Sequence, residues 1–344
     1  MVGGLFLALA LWGVPLAALG DAFARMHWVY LLHVAAAVLA QYLLRAVRQQ
    51  VMLRPLAPDL RLRDHLSITA VGFFCVNVFP ARLGEAVRPL LFADRARVPL
   101  GAGFALVLVE RVFDLIALLA CLLGALALVD LPGRTIEIAG RSLEATDLAR
   151  TGAGAVLAPV LIGLLGLALL GPAALRLGER VVAALEARVD APLLHRIARG
   201  LLRFGAAFVE GLHGLRSPAR LAAVVALTAL LFLSMGLMMS ALAHAFGLQD
   251  RIGFAPGLAV LGITMLGIAL PAPPGFAGVF EASARAGLAL FGIHGEALAG
   301  ASLAFALVFH WWPFLILCAL AGFFLWRDGI GIGRLFRFAR GPSA

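Results

Sequence analysis

Lysine is absent from all 344 residues, and cysteine is confined to three isolated positions, Cys75, Cys121 and Cys318. Without lysine no GxxxxGK[ST] phosphate-binding loop can exist, which excludes ATP hydrolysis through such a loop. The cysteines have neither CxxC spacing nor a histidine at ligand spacing, so neither disulfides nor a bound metal are expected, and no cofactor is implied. Charge is scarce too. Only 14% of residues are charged against 62% hydrophobic, with a mean hydropathy of +1.00. A soluble domain needs a polar surface that this composition does not supply, so the chain reads as an all-α polytopic membrane protein, one transmembrane domain over residues 1–344. Basic patches interleaved with aromatics are missing as well. The net charge of +9 sits beside hydrophobic runs, which points to anchoring at the cytoplasmic face and to no nucleic-acid partner.

Apolar runs near twenty residues organise the chain into about six full spans. The first covers about 2–20. No arginine precedes Arg25, so the positive region of a signal peptide is missing and a retained span is expected. The second, about 28–44, ends in Arg45, Arg48 and Arg54, which assigns that end, and with it the N-terminus, to the cytoplasm. Segments 102–129, 151–172, 219–246 and 297–326 complete the set. Residues 174–218 carry Arg176, Arg180, Arg188, Arg196, Arg199, Arg203 and Arg216, with Leu177, Val181, Leu185 and Val189 recurring every four residues. This pattern predicts an amphipathic helix on the cytoplasmic face, or else a solvated linker. The loop 130–150 is assigned outside although it carries Arg134, Arg141 and Arg150, because the larger basic bias lies in 174–220. The tail 327–344 is short, basic and cytoplasmic.

Two apolar segments resist a single crossing. Residues 64–95 lie between arginines at both ends, and Pro80 and Gly84 interrupt the run NVFPARLGEAVR, where a helix loses a backbone hydrogen bond and bends. Residues 255–292 contain LPAPPGFAGVFEASAR, with Pro271, Pro273, Pro274, Gly275 and Gly278. The expectation is a pair of re-entrant hairpins, the first entering from the cytoplasm and the second from outside. Each restarts with an acid followed by an arginine on one helical face, Glu85 with Arg88 and Glu281 with Arg285. Opposed broken helices are the pattern of inverted-repeat transporters, whose half-helix N-termini point at an anionic ligand. The next apolar stretch adds Glu110, Arg111 and Asp114. Three unpaired charges at mid-bilayer would cost about 8–10 kcal/mol, at roughly 2.5–3.5 kcal/mol each.

The order NxxPxRxGExxR, then ERxxD, then PPGxxGxFE resembles the lysylphosphatidylglycerol synthase transmembrane, or flippase-like, family over roughly residues 5–326. The resemblance implies a bacterial inner-membrane protein. In larger members, the multiple peptide resistance factors, this domain is similar to the part that moves an aminoacylated phospholipid between leaflets. Those members continue into a soluble aminoacyltransferase domain, whereas this sequence stops at Ala344, so synthesis of an aminoacyl lipid is not expected of it. Some relatives are associated with other lipids, including hopanoids and lipid-linked sugars. Phe276 stands where relatives often have a smaller residue.

These readings combine into a candidate site in which Arg82, Arg88 and the restarted helices near Gly84 and Gly278 bind a phosphate head group. Asn77, Glu85, Glu110, Arg111, Asp114, Glu281 and Arg285 are further candidate contacts. Other roles stay open for several of them. Glu110, Arg111 and Asp114 either touch ligand or brace the hairpin by pairing with Arg82 or Arg88; Asn77 caps the broken helix or binds the head group; Glu281 pairs with Arg285 or titrates. Pro80, Gly84, Pro271, Pro274, Gly275 and Gly278 shape backbone. His310, beside Trp311 and Trp312, reads as a histidine packed among aromatics rather than a proton relay. Translocation of a phospholipid or lipid-linked substrate is the leading function. An intramembrane enzyme using Glu85 or Glu281 as base is the alternative, weakened because no activated Ser or Cys nucleophile, HExxH or DxD motif is found, and a scaffold for a separately encoded enzyme partner is the third. A cysteine-accessibility scan over 76–88 and 272–284 tests the opposed hairpins: each stretch should react with aqueous reagents from one side only, and inertness from both sides would exclude the arrangement.

Overall fold

The computed structural model describes residues 15–79, 84–128, 135–138, 141–144, 170, 173–187, 191–212, 217–269, 273–331, 333 and 335. Its helices are α1 (Leu16–Ala24), α2 (Tyr30–Leu53), α3 (Leu62–Val78), α4 (Val87–Ala96), α5 (Leu100–Leu128), α6 (173–187), α7 (Pro192–Leu212), α8 (Pro218–Ala245), α9 (Phe254–Gly267), α10 (Val279–Leu290) and α11 (Glu296–Arg327). Thr135–Ile138 and Arg141–Glu144 pair as a small antiparallel ribbon, so the expected all-α chain has one short β element in the segment read as a loop.

Among the described residues three helices, α2, α8 and α11, are long and apolar enough to cross a bilayer. Their outward faces are apolar as well: Leu32, Leu233, Leu237, Leu315 and Phe323 are exposed, the side-chain distribution of a lipid-facing surface. Helix α5, 29 residues long, matches the expected 102–129 segment. The expected 151–172 span and most of the first span lie outside the described residues.

The helix order follows from a few contacts. The His27 N–H donates to the Ala245 carbonyl at 2.8 Å, placing the start of α2 at the end of α8, and these two antiparallel helices form the most extensive interface of the bundle. α11 runs alongside α3 and ends beside its first turn. There Asp328 accepts from Ser67 Oγ at 2.5 Å and Arg95 at 2.6 Å, and Arg327 lies 3.7 Å from Asp64. Burial alone would raise the Asp328 carboxyl; hydrogen bonds from Arg327, Ser67 and Arg95 outweigh it and hold the group below the ordinary aspartate range. One apolar cluster joins α2, α8, α9, α10 and α11 through Val34, Met239, Leu242 and Phe305; a second joins α3, α4 and the end of α11 through Ile68, Val71, Phe92 and Phe324.

Both proline-rich segments form a helix, a break and a helix. α3 stops at Val78, Phe79 is extended at ψ 138°, and the following Pro80 accounts for that, because a residue before proline is forced out of the helical region. From Gly84 the chain forms a turn of 3₁₀ helix and then α4. A Cβ on Gly84 would run into the backbone of Cys75 and Val76, so glycine is what lets the break lie against α3. In the second unit, Pro274–Phe276 forms a 3₁₀ turn between α9 and α10, with Gly275 at φ 70° and Gly278 at φ 83°, backbone that glycine adopts without strain. This turn packs on α3. The first unit opens at the end where α2 and α11 finish, the second at the end where α8 finishes and α11 begins. Pro80, Arg82 and Pro271 lie outside the described residues.

The 174–218 segment differs from a single amphipathic helix. α6 and α7 pack antiparallel, with Leu175 beside Gly205, Leu202 beside Gly178 and Arg199 2.8 Å from Glu186. α7 also lies against the start of α5, where a Cβ on Gly101 would strike the Phe204 carbonyl. The alternation of small and large residues along this contact is a tertiary signal that the four-residue arginine and leucine rhythm hides.

Two glycine substitutions separate close approach from ordinary helix chemistry. Gly84→Ala should destabilise the protein by about 1–3 kcal/mol, as overpacking against backbone does. Gly124→Ala, at a helical position with open space around it, should be neutral or stabilising by up to ~1 kcal/mol, both read as thermal shifts in detergent.

Candidate functional site

Four arginines and three carboxylates meet around one aromatic ring. Arg45 and Arg48 come from the last turns of α2, Phe73 from α3, Glu85 from the 3₁₀ turn, Arg88 from the first turn of α4, and Glu110, Arg111 and Asp114 from the middle of α5. The guanidiniums of Arg45, Arg88 and Arg111 lie 4.9, 5.4 and 5.1 Å from the Phe73 ring centre, within cation–π range. Asp114 pairs with Arg45 at 2.9 Å and Arg48 at 2.7 Å, Glu110 with Arg88 at 2.5 Å, and Glu85 with Arg111 at 3.4 Å. Arg48 also donates to Thr228 Oγ1 of α8 at 2.9 Å, so the cluster ties five helices together. Arg88 reaches Glu110 by crossing Gly72, where a Cβ would collide with its side chain. Gln49 lies 3.3 Å from both His65 and Thr69, and its amide oxygen faces Arg88 when the amide is turned to satisfy all its neighbours.

Pairing does not exhaust the donors. Arg48 and Arg88 are each 1% exposed, yet Arg48 Nε and Nη2, Arg88 Nε and Nη1, and Arg111 Nε have no hydrogen-bond partner among the described residues; Glu110 Oε1 is likewise unmatched. Leaving a buried polar donor without a partner costs about 1–3 kcal/mol, more when it is charged. Four guanidiniums against three carboxylates leave one net positive charge within the cluster. Spare, preoriented N–H donors with excess positive charge match the oxygens of a phosphate group, which guanidinium binds bidentately.

Several expected pairings change. Glu85 and Arg88 do not pair along their own helix: Glu85 precedes the restart of α4, so it reaches across to Arg111 while Arg88 turns inward to Glu110. Glu110 and Arg111 thereby join the first helix–break–helix unit to α5, while Asp114 joins α5 to α2. Asn77 donates to the Phe73 carbonyl at 2.9 Å, closing the last turn of α3. Glu281 is held not by Arg285 but by the Gly278 N–H at 2.7 Å, His310 Nδ1 at 2.7 Å and Trp311 Nε1 at 2.9 Å. His310, expected among aromatics, is therefore hydrogen-bonded to Glu281 as well as stacked on Phe280. Arg285 lines a separate cavity of about 320 Å³ with His294 and Ser302. Arg45 and Arg48 were read as markers of topology, and Gln49, Phe73 and Thr228 were not singled out; the i,i+3 placement of two arginines inside an otherwise apolar helix is the signal that could have found the first two.

The described helices define a multi-pass membrane protein with an ionic cluster buried in its interior. Residues 1–321 match the model of the lysylphosphatidylglycerol synthase TM region, and the chain belongs to that family. It is also similar to the glycosyltransferase AglD of Haloferax volcanii, 26% identical over 273 residues that cover 72% of this chain and 41% of that protein. The chain thus spans less than half the length of this curated relative. No solved structure matches it.

Removing one member of a buried ion pair strands the other, at about 3–5 kcal/mol, whereas replacing both by apolar residues of similar size is far milder. Glu110→Leu should therefore lower thermal stability sharply, and adding Arg88→Met should restore most of it. Additive losses in this double-mutant cycle would show that the two residues do not interact.

Proposed function

We propose that this protein translocates an anionic, phosphate-bearing lipid, or a lipid-linked intermediate, between the leaflets of the cytoplasmic membrane. The observation that carries the reading is the set of unmatched guanidinium N–H groups on Arg48, Arg88 and Arg111, held in place by carboxylates and by Phe73. A phosphate head group supplies the oxygens that these donors lack, and its charge offsets the excess of arginine. In this reading residues 64–95 and 255–292 are re-entrant hairpins from opposite faces, related as an inverted repeat, with both termini in the cytoplasm. α6 and α7 then rest at the cytoplasmic head groups, where exposed Leu177, Val181, Ile197 and Leu201 meet acyl chains and the neighbouring arginines meet anionic lipid. Among the described residues the cage consists of arginines, carboxylates and Phe73, a set suited to holding a head group, which favours transport in this reading.

A second reading draws on the name of the relative in Haloferax volcanii. A glycosyltransferase that shares this region and extends well beyond it favours a lipid-linked sugar as cargo, or a role for this chain as the membrane platform of a separately encoded lipid-modifying enzyme.

Reconstitution separates the readings. Purified chain in vesicles containing fluorescent phosphatidylglycerol should accelerate the loss of dithionite-protected label while mass spectrometry shows no new lipid species. A new species would establish an enzyme, and neither change would favour the platform role. Arg48→Gln should slow redistribution by about tenfold to a hundredfold, the equivalent of one charge-assisted hydrogen bond of ~1.5–3 kcal/mol; an unaffected rate would remove the cage from the mechanism.

A further inference from the structure

The second helix–break–helix unit contains a buried ionic group that the arginine cage does not use. Glu281, with no exposed surface, stands in the first turn of α10. Its Oε2 accepts the N–H of Gly278, and its Oε1 accepts from His310 Nδ1 and Trp311 Nε1. The His310 ring is fixed in turn, stacked on Phe280 at 4.2 Å with 9° between the planes. With His310 in the tautomer that donates from Nδ1, three N–H groups converge on one carboxyl group, the arrangement that its ionised form accepts. The bond to Gly278 also holds a stressed segment: Gly275, Phe276 and Gly278 all have positive φ, and for Phe276, at 56°, that conformation is strained. This segment includes the turn that rests on α3, the helix that carries Gly72 and Phe73. Two contacts therefore connect the carboxylate to the arginine cage, the cap on Gly278 and the turn on α3.

Among the described residues few other ionisable groups face this site. Within α10, Arg285 lies one turn on and lines the adjoining cavity. α9 carries no ionisable side chain. On α3, Arg63, Asp64 and His65 sit in the first turn, Asp64 near Arg327 and His65 against Gln49, while the Cys75 thiol is buried. From α11, His310 is the group in direct contact.

We propose that Glu281 and His310 form a proton-binding site that gates the turn at residues 273–278, ahead of α10, and, on the reading that the chain moves an anionic lipid, couples that movement to a transmembrane pH difference. A proton taken from water on one side bonds to Glu281 Oε2. The neutral Oε2–H is a weaker acceptor than a carboxylate oxygen, so the hydrogen bond from the Gly278 N–H weakens and the strained segment is released while Oε1 keeps His310 and Trp311. Loss of the proton to the opposite side restores the cap. Buried acid–histidine pairs are the usual elements of proton relays in transporters.

Two measurements on the full chain test this. With Cys75, Cys121 and Cys318 replaced by serine, Ala277→Cys in phosphatidylglycerol vesicles reports opening through its alkylation rate, taken at each pH relative to that of free glutathione so that the shared loss of thiolate cancels. The rate should rise several-fold as pH falls from about 8 to about 4, across the ordinary histidine and glutamate range. Glu281→Gln, which places an amide N–H against the same donors, should be fast at every pH, and His310→Asn, which donates but does not titrate, should flatten the profile. A rate independent of pH in the parent chain, or Glu281→Gln as slow as the parent, overturns the gate. The second measurement follows fluorescent phosphatidylglycerol with and without an imposed pH difference. The ratio of the two rates should exceed one for the parent and fall to about one for Glu281→Gln. Redistribution indifferent to the gradient overturns the coupling and leaves translocation standing. No redistribution under any condition, with alkylation still gated by pH, overturns translocation and the coupling with it while leaving the proton gate.

Discussion

A guanidinium is tolerable inside an apolar bundle only when a carboxylate is buried with it, and Arg88 and Glu110 meet that condition at the centre of this chain. The pair joins the restart of a broken helix to the middle of α5, and it exists because Gly72 leaves a path for the arginine side chain across α3. Other features are arranged around it. Gln49 presents its amide to Arg88, Asp114 draws in Arg45 and Arg48 from α2, and Thr228 extends the network to α8. Helices that have no hydrophobic driving force toward one another within lipid are thus given a polar reason to associate.

Much of the architecture is legible in the sequence, because spans and breaks are local properties. Hydrophobic length marks α2, α8 and α11, and Pro80 with Gly84, like Pro274 with Gly275 and Gly278, marks where a helix cannot continue. The partners of each charge are not local. Periodicity places Glu85 and Arg88, or Glu281 and Arg285, on one face of a helix, but the face alone does not say which neighbour it meets. Burial decides: Arg88 finds a carboxylate on α5, and Glu281 is engaged by its own backbone and by α11. Arg45 and Arg48 follow the same logic. Read along the chain they end a hydrophobic run; in the fold they face Asp114, sixty-odd residues away. Membership of the lysylphosphatidylglycerol synthase TM family agrees with the order of the motifs, which survives where individual contacts do not.

The two breaks resemble each other in outline and differ in chemistry. Glu85 lies before α4 begins and is partly exposed, free to reach Arg111; Glu281 lies inside the first turn of α10 and closes it. One break is held by long-range ion pairs and the other by a short local cap. A structure built this way has one element whose strength depends on several helices staying together and another whose strength depends on a single carboxyl group.

Phe73 gives the arginine cage a property that carboxylates alone could not. Its ring gathers three guanidiniums at about 5 Å, yet it carries no net charge, so it concentrates positive potential without cancelling it. An anion entering such a site displaces no counter-ion from the ring, and on leaving it exposes no charge that the ring was not already holding. The aromatic surface is a neutral seat for the cations, and on the proposed reading it lets the arginines keep their positions whether or not an anion lies beside them.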